Sequence, residues 1–271
     1  EEAQEQSSPA REQTPAREEA SGRQGEAAQA RQRDPRAAET QRAAQQATGL
    51  APMEESTDRN ARRASGKAMR RLGAAKAAIQ HTKKVLRHGG GNQFEALRDT
   101  KFNSYFRMAA MRDPECWELD PGLYSLARKH PDALTAAKAD LAQGGNCGEH
   151  AAVGYDFLTT KMGGEKINKV SVAGLDHAFV IIGNLSTDKD ADLAVCDPWP
   201  TSPTACLWDE HFAFKRDRSQ INTASSAEAG GEDIKAALAA GLRLSKKGEA
   251  MIQQSLDQEN TEKELEKGTQ G

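Results

Sequence analysis

One cysteine stands where a loop gives way to a helix. The stretch GGNCGEHAAVGYDFL, residues 144–158, places Cys147 directly after Gly-Gly-Asn and before apolar residues that recur at helical spacing. The N-terminus of a helix has unpaired N–H groups and the positive end of the helix dipole, and both favour a thiolate over a thiol. Cys147 is therefore a candidate nucleophile.

A nucleophilic cysteine needs a general base, and His177 in GLDHAFVIIG is the best candidate. On a strand, His177 shares one face with Phe179 and Ile181, so an imidazole stands at the start of a strand otherwise built for burial. Asp197, in LAVCDPW, ends the next strand, where Pro198 stops the ladder. If the two strands pair, Asp197 can hold one imidazole nitrogen and orient the other toward sulfur.

The elements that would position these residues change character near Gly163-Gly164. Before that point, NQFEALRDTKFNSYFRMAAMRD and DPGLYSLARKHPDALTAAKADLAQGG have helical spacing of apolar residues. After it, INKVSV, HAFVIIG and LAVCD are short, rich in Val, Ile and Phe, and separated by turn residues, which is typical of consecutive antiparallel strands. The sequence predicts an α+β fold, with a helical layer that holds Cys147 packed on an antiparallel sheet that holds His177 and Asp197.

Composition divides the chain of 271 residues. Residues 1–58 contain no aromatic residue and almost no Leu, Ile or Val, so we expect a disordered arm. The aromatic residues cluster between Phe94 and Phe214, which predicts a catalytic domain over residues 92–215. Residues 219–271 are expected to be a polar, partly helical tail.

A basic segment precedes the predicted domain. Residues 61–88 contain many Lys and Arg residues and no Asp or Glu, and small or apolar residues recur at steps of three or four, namely Ala64, Ala68, Leu72, Ala75, Ile79, Thr82 and Leu86. The segment should be a helix with one weak apolar stripe. It would either dock on the core as a solvated helix or contact anionic membrane or phosphate.

Other classes of protein are disfavoured. Four cysteines without regular spacing do not make a small disulfide scaffold. No apolar run approaches the roughly 20 residues that span a bilayer. The net charge of −3 says little about partners. No export signal is visible in this chain.

Three motifs together resemble a known family. Cys-Gly-Glu-His at a helix start, Asp-His-Ala-Phe-Val on a strand and Asp-Pro-Trp after the next strand are similar to the papain-like Cys-His-Asp hydrolases of bacterial effectors and toxins. The resemblance covers about residues 143–200. It implies a papain-like core related to that of transglutaminase-like enzymes, in which Cys147 is the nucleophile, His177 the base and then the acid, and Asp197 the orienting group. Trp199 would shield the imidazole–carboxylate hydrogen bond from water.

The resemblance also implies a substrate and a location. The family includes proteases of host proteins and glutamine deamidases, so we expect attack on an amide of a host protein, either a peptide bond or a Gln side chain, through a thioester acyl-enzyme. No cofactor or metal is implied, and the protein would be secreted or translocated into a host cell. A transglutaminase-type acyltransferase is one alternative. A non-enzymatic binding or adaptor module is another, because fold analogy does not determine function.

The family pattern departs from this chain at the oxyanion hole. Papain-type enzymes place a glutamine six residues before the cysteine, where this chain has Leu141. Gln143 lies four residues before the cysteine, so the expected donors are the Gln143 amide and the backbone N–H of Cys147.

A zinc site is the competing interpretation of the same residues. Cys147 and His150 form a C-x2-H pair, which His177 with Cys196 or Cys206 could complete. A structural zinc site normally has tight spacing in its second half, and none is present here. We expect His150, one turn from Cys147, to be a packed core residue. No constellation surrounds the remaining cysteines and histidines, which are Cys116, His81, His88, His130 and His211.

Overall fold

A computed structural model describes residues 64–269 of the chain. The arm predicted for residues 1–58 lies outside the described residues, as do the first residues of the basic segment 61–88. The described part contains nine α-helices and seven strands. The helices are α1 (Gly66–Val85), α2 (Phe94–Asp99), α3 (Asn103–Arg112), α4 (Tyr124–Lys129), α5 (Pro131–Ala142), α6 (Cys147–Lys161), α7 (Ile234–Ala239), α8 (Lys246–Met251) and α9 (Gln258–Thr269).

Two antiparallel sheets accompany the helices. The larger has five strands in the order β5-β4-β3-β2-β6, and the smaller pairs β1 with β7. The fold is therefore α+β, as the sequence predicted, with consecutive strands β2, β3 and β4 forming a meander. The strands are β1 (Trp117–Leu119), β2 (Lys166–Val172), β3 (Leu175–Ile182), β4 (Ala194–Cys196), β5 (Cys206–Leu207), β6 (Ile221–Glu228) and β7 (Leu242–Leu244).

Strand β3 is buried on both faces because different layers cover them. Val180 and Ile182 pack in a cluster with residues of α1 and α6. Phe179 and Ile181 point the other way, into a cluster with Trp208 and the loop that follows it. Strand β3 therefore has a continuous apolar run instead of alternating polar and apolar residues.

Helix α1 is part of this core. Its buried side consists mostly of alanines, and Ala68, Ala75 and Ala78 are fully buried. Small side chains let the helix approach α6 and β4 closely. Arg71, 4% exposed, donates to Glu165 at 2.7 and 2.9 Å and to the backbone carbonyl of Asp192 at 2.7 Å.

The larger sheet also extends past residue 215. Strand β6 pairs along its length with β2, so the segment 219–271, for which the sequence predicted only a polar and partly helical tail, supplies an edge strand. Strand β7 of the same segment pairs with β1, with Leu244 opposite Trp117. The sequence INTASSAE gives no strand signal because an edge strand with one neighbour and exposed small polar side chains lacks alternating large apolar residues.

Candidate active site

The loop before α6 holds Cys147 at the first position of the helix. Gly144 packs directly on α3, since a Cβ atom there would lie 2.4 Å from the backbone carbon of Arg107. The carboxylate of Glu149 accepts from the backbone N–H of Asn146 at 2.8 Å and forms a bidentate ion pair with Arg112 at 2.7 and 2.9 Å. Cys147 is partly exposed, and the free N–H groups of the first turn surround it.

His177 and Asp197 form a buried pair. Val180 of β3 lies opposite Cys196 of β4, which brings the next residue, Asp197, beside the half of β3 that carries His177. Nε2 of His177 lies 2.7 Å from Oδ2 of Asp197, and the two side chains are 1% and 4% exposed. One imidazole nitrogen is therefore committed to the carboxylate.

The other nitrogen of His177 is left for the thiol. Its Nδ1 is buried and has no hydrogen-bond partner in the described part of the chain, and it belongs to a ring that lines the same cleft as Cys147. Burial by itself lowers the pKa of His177, but the charge and hydrogen bond of Asp197, with a further contribution from the Cys147 thiol, raise that pKa to about 10. Burial likewise opposes ionisation of Asp197, and His177 and His211 nevertheless hold its pKa well below the usual range.

Aromatic rings enclose the imidazole of His177. The ring centroids of Trp199, Phe212 and Phe179 lie 5.3, 5.4 and 5.7 Å from that of His177. Trp199 is 2% exposed and also lines the cleft that contains Cys147. The rings fix the orientation of the imidazole and keep water from its hydrogen bond to Asp197.

A second histidine binds the same carboxylate, so the expectation that no constellation surrounds His211 was wrong. His211 follows the 3-10 turn Trp208–Glu210, and its Nε2 lies 3.0 Å from Oδ2 of Asp197. Oδ1 of Asp197 has no hydrogen-bond partner among residues 64–269. The only sequence signal for His211 is its aromatic surroundings in WDEHFAF, and aromatic neighbours do not indicate a partner.

The loop Gly89–Gly91 before α2, called the glycine loop below, supports Trp199. The Gln93 amide donates to the backbone carbonyl of Trp199 at 2.6 Å and accepts from the N–H of Gly90 at 2.7 Å. A Cβ atom at Gly90 would lie 2.9 Å from Nε1 of Trp199, so the ring rests directly on the loop. Lys83 of α1 donates to the same carbonyl at 3.4 Å, and burial lowers its pKa to about 8 although Asp197 opposes the shift. Sequence reasoning missed Gln93 and Lys83 because their contacts reach across the fold.

Cys147 and His177 open into one cleft of about 410 Å³. Its walls come from the N-terminus of α6, the start of β3, the end of β2 and the glycine loop. The other lining residues are Asn92, Arg112, Asn146, Gly148, Ser171, Leu175, Asp176, Ala178 and Trp199. Both polar and apolar residues line the cleft, and it brings Cys147 and His177 to one shared space.

Gln143, one of the two expected oxyanion donors, does not line this cleft. It ends α5 in the left-handed conformation, with φ 53°, and its side chain lies near His88, whose pKa it raises against the larger lowering effect of burial. Asn92 lies in the cleft wall instead, on a loop tied to the Cys147 loop by the hydrogen bond from Gly91 N–H to the Gly145 carbonyl at 3.3 Å.

The remaining candidates for metal binding are dispersed or buried. His150 is fully buried, its Nδ1 lies 2.7 Å from the Asn146 carbonyl, and burial lowers its pKa to about 3. Burial raises the pKa of the thiols of Cys196 and Cys206, the latter to about 12. Among residues 64–269, no group of three His, Cys, Asp or Glu side chains is arranged to hold a metal ion.

The arrangement as a whole supports acid–base and nucleophilic chemistry. A thiol at a helix N-terminus and an imidazole held by a buried carboxylate share one cleft, and such a set can attack an electrophilic carbon and move a proton. Comparisons with protein-family models, with curated proteins and with solved structures found no match for the chain. No helix within the described range is long and apolar enough to cross a membrane.

Proposed function

We propose that the chain is a cysteine hydrolase that attacks an amide through a thioester acyl-enzyme, on a papain-like core related to that of transglutaminase-like enzymes. One observation carries the proposal. The Nε2 atom of His177 is bonded to Asp197 at 2.7 Å, while Nδ1 is left beside Cys147 in an open cleft. Unlike His150, whose ring is fully buried away from the cleft, His177 lines the cleft with Cys147 and has a buried carboxylate on its other nitrogen.

The raised pKa of His177, about 10, supports the first step. At neutral pH the imidazole holds its proton, and the imidazolium favours the thiolate form of Cys147. The thiolate attacks the amide carbonyl carbon and forms a tetrahedral intermediate. His177 then donates its proton to the departing nitrogen as the C–N bond breaks, which leaves a thioester and a free amine or ammonia.

The second step runs the same groups in reverse. Water enters the cleft, gives a proton to the now neutral His177, and attacks the thioester carbonyl. The C–S bond breaks, the acid product leaves, and the thiolate–imidazolium pair is restored. Asp197 stays ionised throughout and holds the imidazole in place. If an amine enters instead of water, the product is a new amide and the chain is an acyltransferase.

The tetrahedral intermediate has a negative oxygen that must be stabilised. The backbone N–H of Cys147 is unpaired at the first turn of α6 and is one donor. We assign the second to the side-chain amide of Asn92, which lines the cleft, in place of Gln143, which does not.

Mass spectrometry of lysate proteins treated with wild-type and Cys147→Ala protein tests the proposal. New protein termini mean proteolysis, a gain of about one dalton at Gln means deamidation, and crosslinks mean acyl transfer to an amine. Cys206→Ala is the matched control, because Cys206 is also partly exposed but does not line the cleft. We expect the modifications with wild-type and Cys206→Ala protein and none with Cys147→Ala. The same modifications with Cys147→Ala would refute the proposal.

A further inference from the structure

His211 is the one histidine besides His177 that binds the carboxylate of Asp197 in the described part of the chain. We propose that His211 is a positioning residue: its Nε2–H donates to the oxygen of Asp197 that also holds His177, and thereby fixes the carboxylate and keeps it ionised. The inference rests on the proposed function, because it concerns how the Cys147–His177 pair is maintained.

The protonation of His211 follows from its two hydrogen bonds. The backbone N–H of Ala213 points at Nδ1 of His211 at 3.3 Å, so Nδ1 must accept. The proton of a neutral imidazole then lies on Nε2, which lies 3.0 Å from Oδ2 of Asp197 and donates to it. Burial lowers the pKa of His211 although Asp197 opposes the shift, and this agrees with a neutral ring.

Aromatic rings hold the His211 ring in this orientation. Its centroid lies 4.3 Å from that of Phe212 and 4.6 Å from that of Phe179, and both of these rings also contact His177. The side chain is 5% exposed. It does not line the cleft with Cys147 and instead borders a separate hollow of about 40 Å³ behind Asp197. His211 therefore touches no atom of the cleft, and its direct hydrogen bond to the site is the one to Asp197.

Two N–H donors on one oxygen have a predictable effect. Each stabilises the ionised carboxylate, so loss of one raises the pKa of Asp197. A less stable carboxylate stabilises the His177 imidazolium less, and the Asp197–His177 pair that supports attack by Cys147 is then weakened earlier as the solution is acidified. Other ionisable groups near Asp197 are the same in wild type and variants, namely Lys83, His150, His177, Cys196 and Cys206.

The rate of alkylation of Cys147 by iodoacetamide reports the effect of His211 on the site and needs no known substrate. The rate at Cys147 is followed by peptide mass spectrometry from pH 4 to 9 in the full chain, for wild type, His211→Phe and His211→Gln. Phe fills the aromatic site without a donor, whereas the Gln amide can still donate to Asp197. We expect the acid limb of the His211→Phe profile to move up by about one pH unit, with alkylation about tenfold slower on that limb. His211→Gln should restore most of the difference.

Two patterns would overturn the inference. Wild-type profiles in both variants would mean that the His211 bond does not matter, and equal shifts in both would mean that packing, not the donor, is responsible. If wild-type Cys147 reacts no faster than Cys206 at pH 6, the proposed function itself fails. Nitrogen-15 NMR of the imidazoles separates these cases, since His211 should carry a proton on Nε2 alone at neutral pH whatever the reactivity of Cys147. A proton on Nδ1 would rule the assignment out.

Discussion

Asp197 Oδ2 lies 2.7 Å from Nε2 of His177, and both side chains are almost completely withdrawn from water. A carboxylate in such a place costs free energy unless its charge is compensated. The pair therefore favours a protonated imidazole in one orientation, and this couples the ionisation of His177 to an aspartate that does not line the cleft.

Asp197→Asn should preserve the fold and disable the site. The amide lacks the charge that raises the pKa of His177 and can present an N–H where an acceptor is required. We expect kcat to fall on the order of 1,000-fold with little change in KM, measured on the substrate found by mass spectrometry. Asp190→Asn is the control, since Asp190 pairs with Arg218 and does not line the cleft. A fully active Asp197→Asn protein would contradict the proposed role.

His150 should make the protein sensitive to acid. Its pKa in the folded state is about 3, below the value of about 6.5 for an unfolded chain. As the pH falls, the unfolded state therefore binds a proton at higher pH than the folded state does. The free energy of unfolding is at its full value above pH 6.5 and decreases as the pH falls toward 3. Urea unfolding at pH 7 and pH 4 should show this loss, on the order of a few kcal/mol, in wild type. His150→Asn keeps a donor for the Asn146 carbonyl but cannot titrate, so its loss should be smaller. Equal losses would show that other groups control acid unfolding.

The oxyanion assignment distinguishes two amides. Asn92→Ala should reduce kcat on the order of 100-fold with unchanged folding, because one hydrogen-bond donor to the intermediate is removed. Gln143→Asn is the matched variant, since Asn tolerates the left-handed conformation of residue 143 and the side chain lies outside the cleft. Steady-state kinetics should show near wild-type kcat for Gln143→Asn. The opposite pattern would return the role to Gln143.

Gly90 should tolerate no side chain. A Cβ atom there would lie 2.9 Å from Nε1 of Trp199 and 3.0 Å from Cδ of Gln93, so one of them must shift. We expect Gly90→Ala to lower the free energy of unfolding by about 1–3 kcal/mol and to slow iodoacetamide labelling of Cys147. Gly73→Ala is the matched control, because a Cβ at this exposed position of α1 would meet no described atom within 4 Å. This substitution should stabilise the helix by about 1 kcal/mol. Equal stability of the two variants would show that Trp199 does not depend on the loop.

The central residues of the candidate site could be predicted from the sequence because each lies at or near the end of a helix or strand that has its own local sequence signal. Cys147 follows Gly-Gly-Asn and starts a helix, His177 interrupts an apolar strand, and Asp197 precedes a proline that ends a strand. In the structure these three and Trp199 lie around one cleft or directly behind it. The α+β order was readable for the same reason, since helical and strand periodicities differ.

The parts that escaped prediction depend on contacts between distant segments. His211 reaches Asp197 because the segment after β5 packs against the face of β3 that carries Phe179. Gln93 and Trp199 form their hydrogen bond although they are 106 residues apart in sequence. Strand β6 was not predicted because it is an exposed edge strand, and its small polar side chains lack the alternation of large apolar residues that indicates a strand. Local periodicity has no information about which loop meets which strand end.

The packing of α1 sets a lower limit on the length of chain that can fold by itself. A polypeptide that begins at Asn92 would lack this helix, and the face of β3 and β4 formed by Val180, Ile182 and Ala194 would be open to water. It would also lose the Arg71 guanidinium that binds Glu165 and Asp188. Such a truncated protein should aggregate, whereas one that begins at Ser65 retains the cap of α1 and should be soluble.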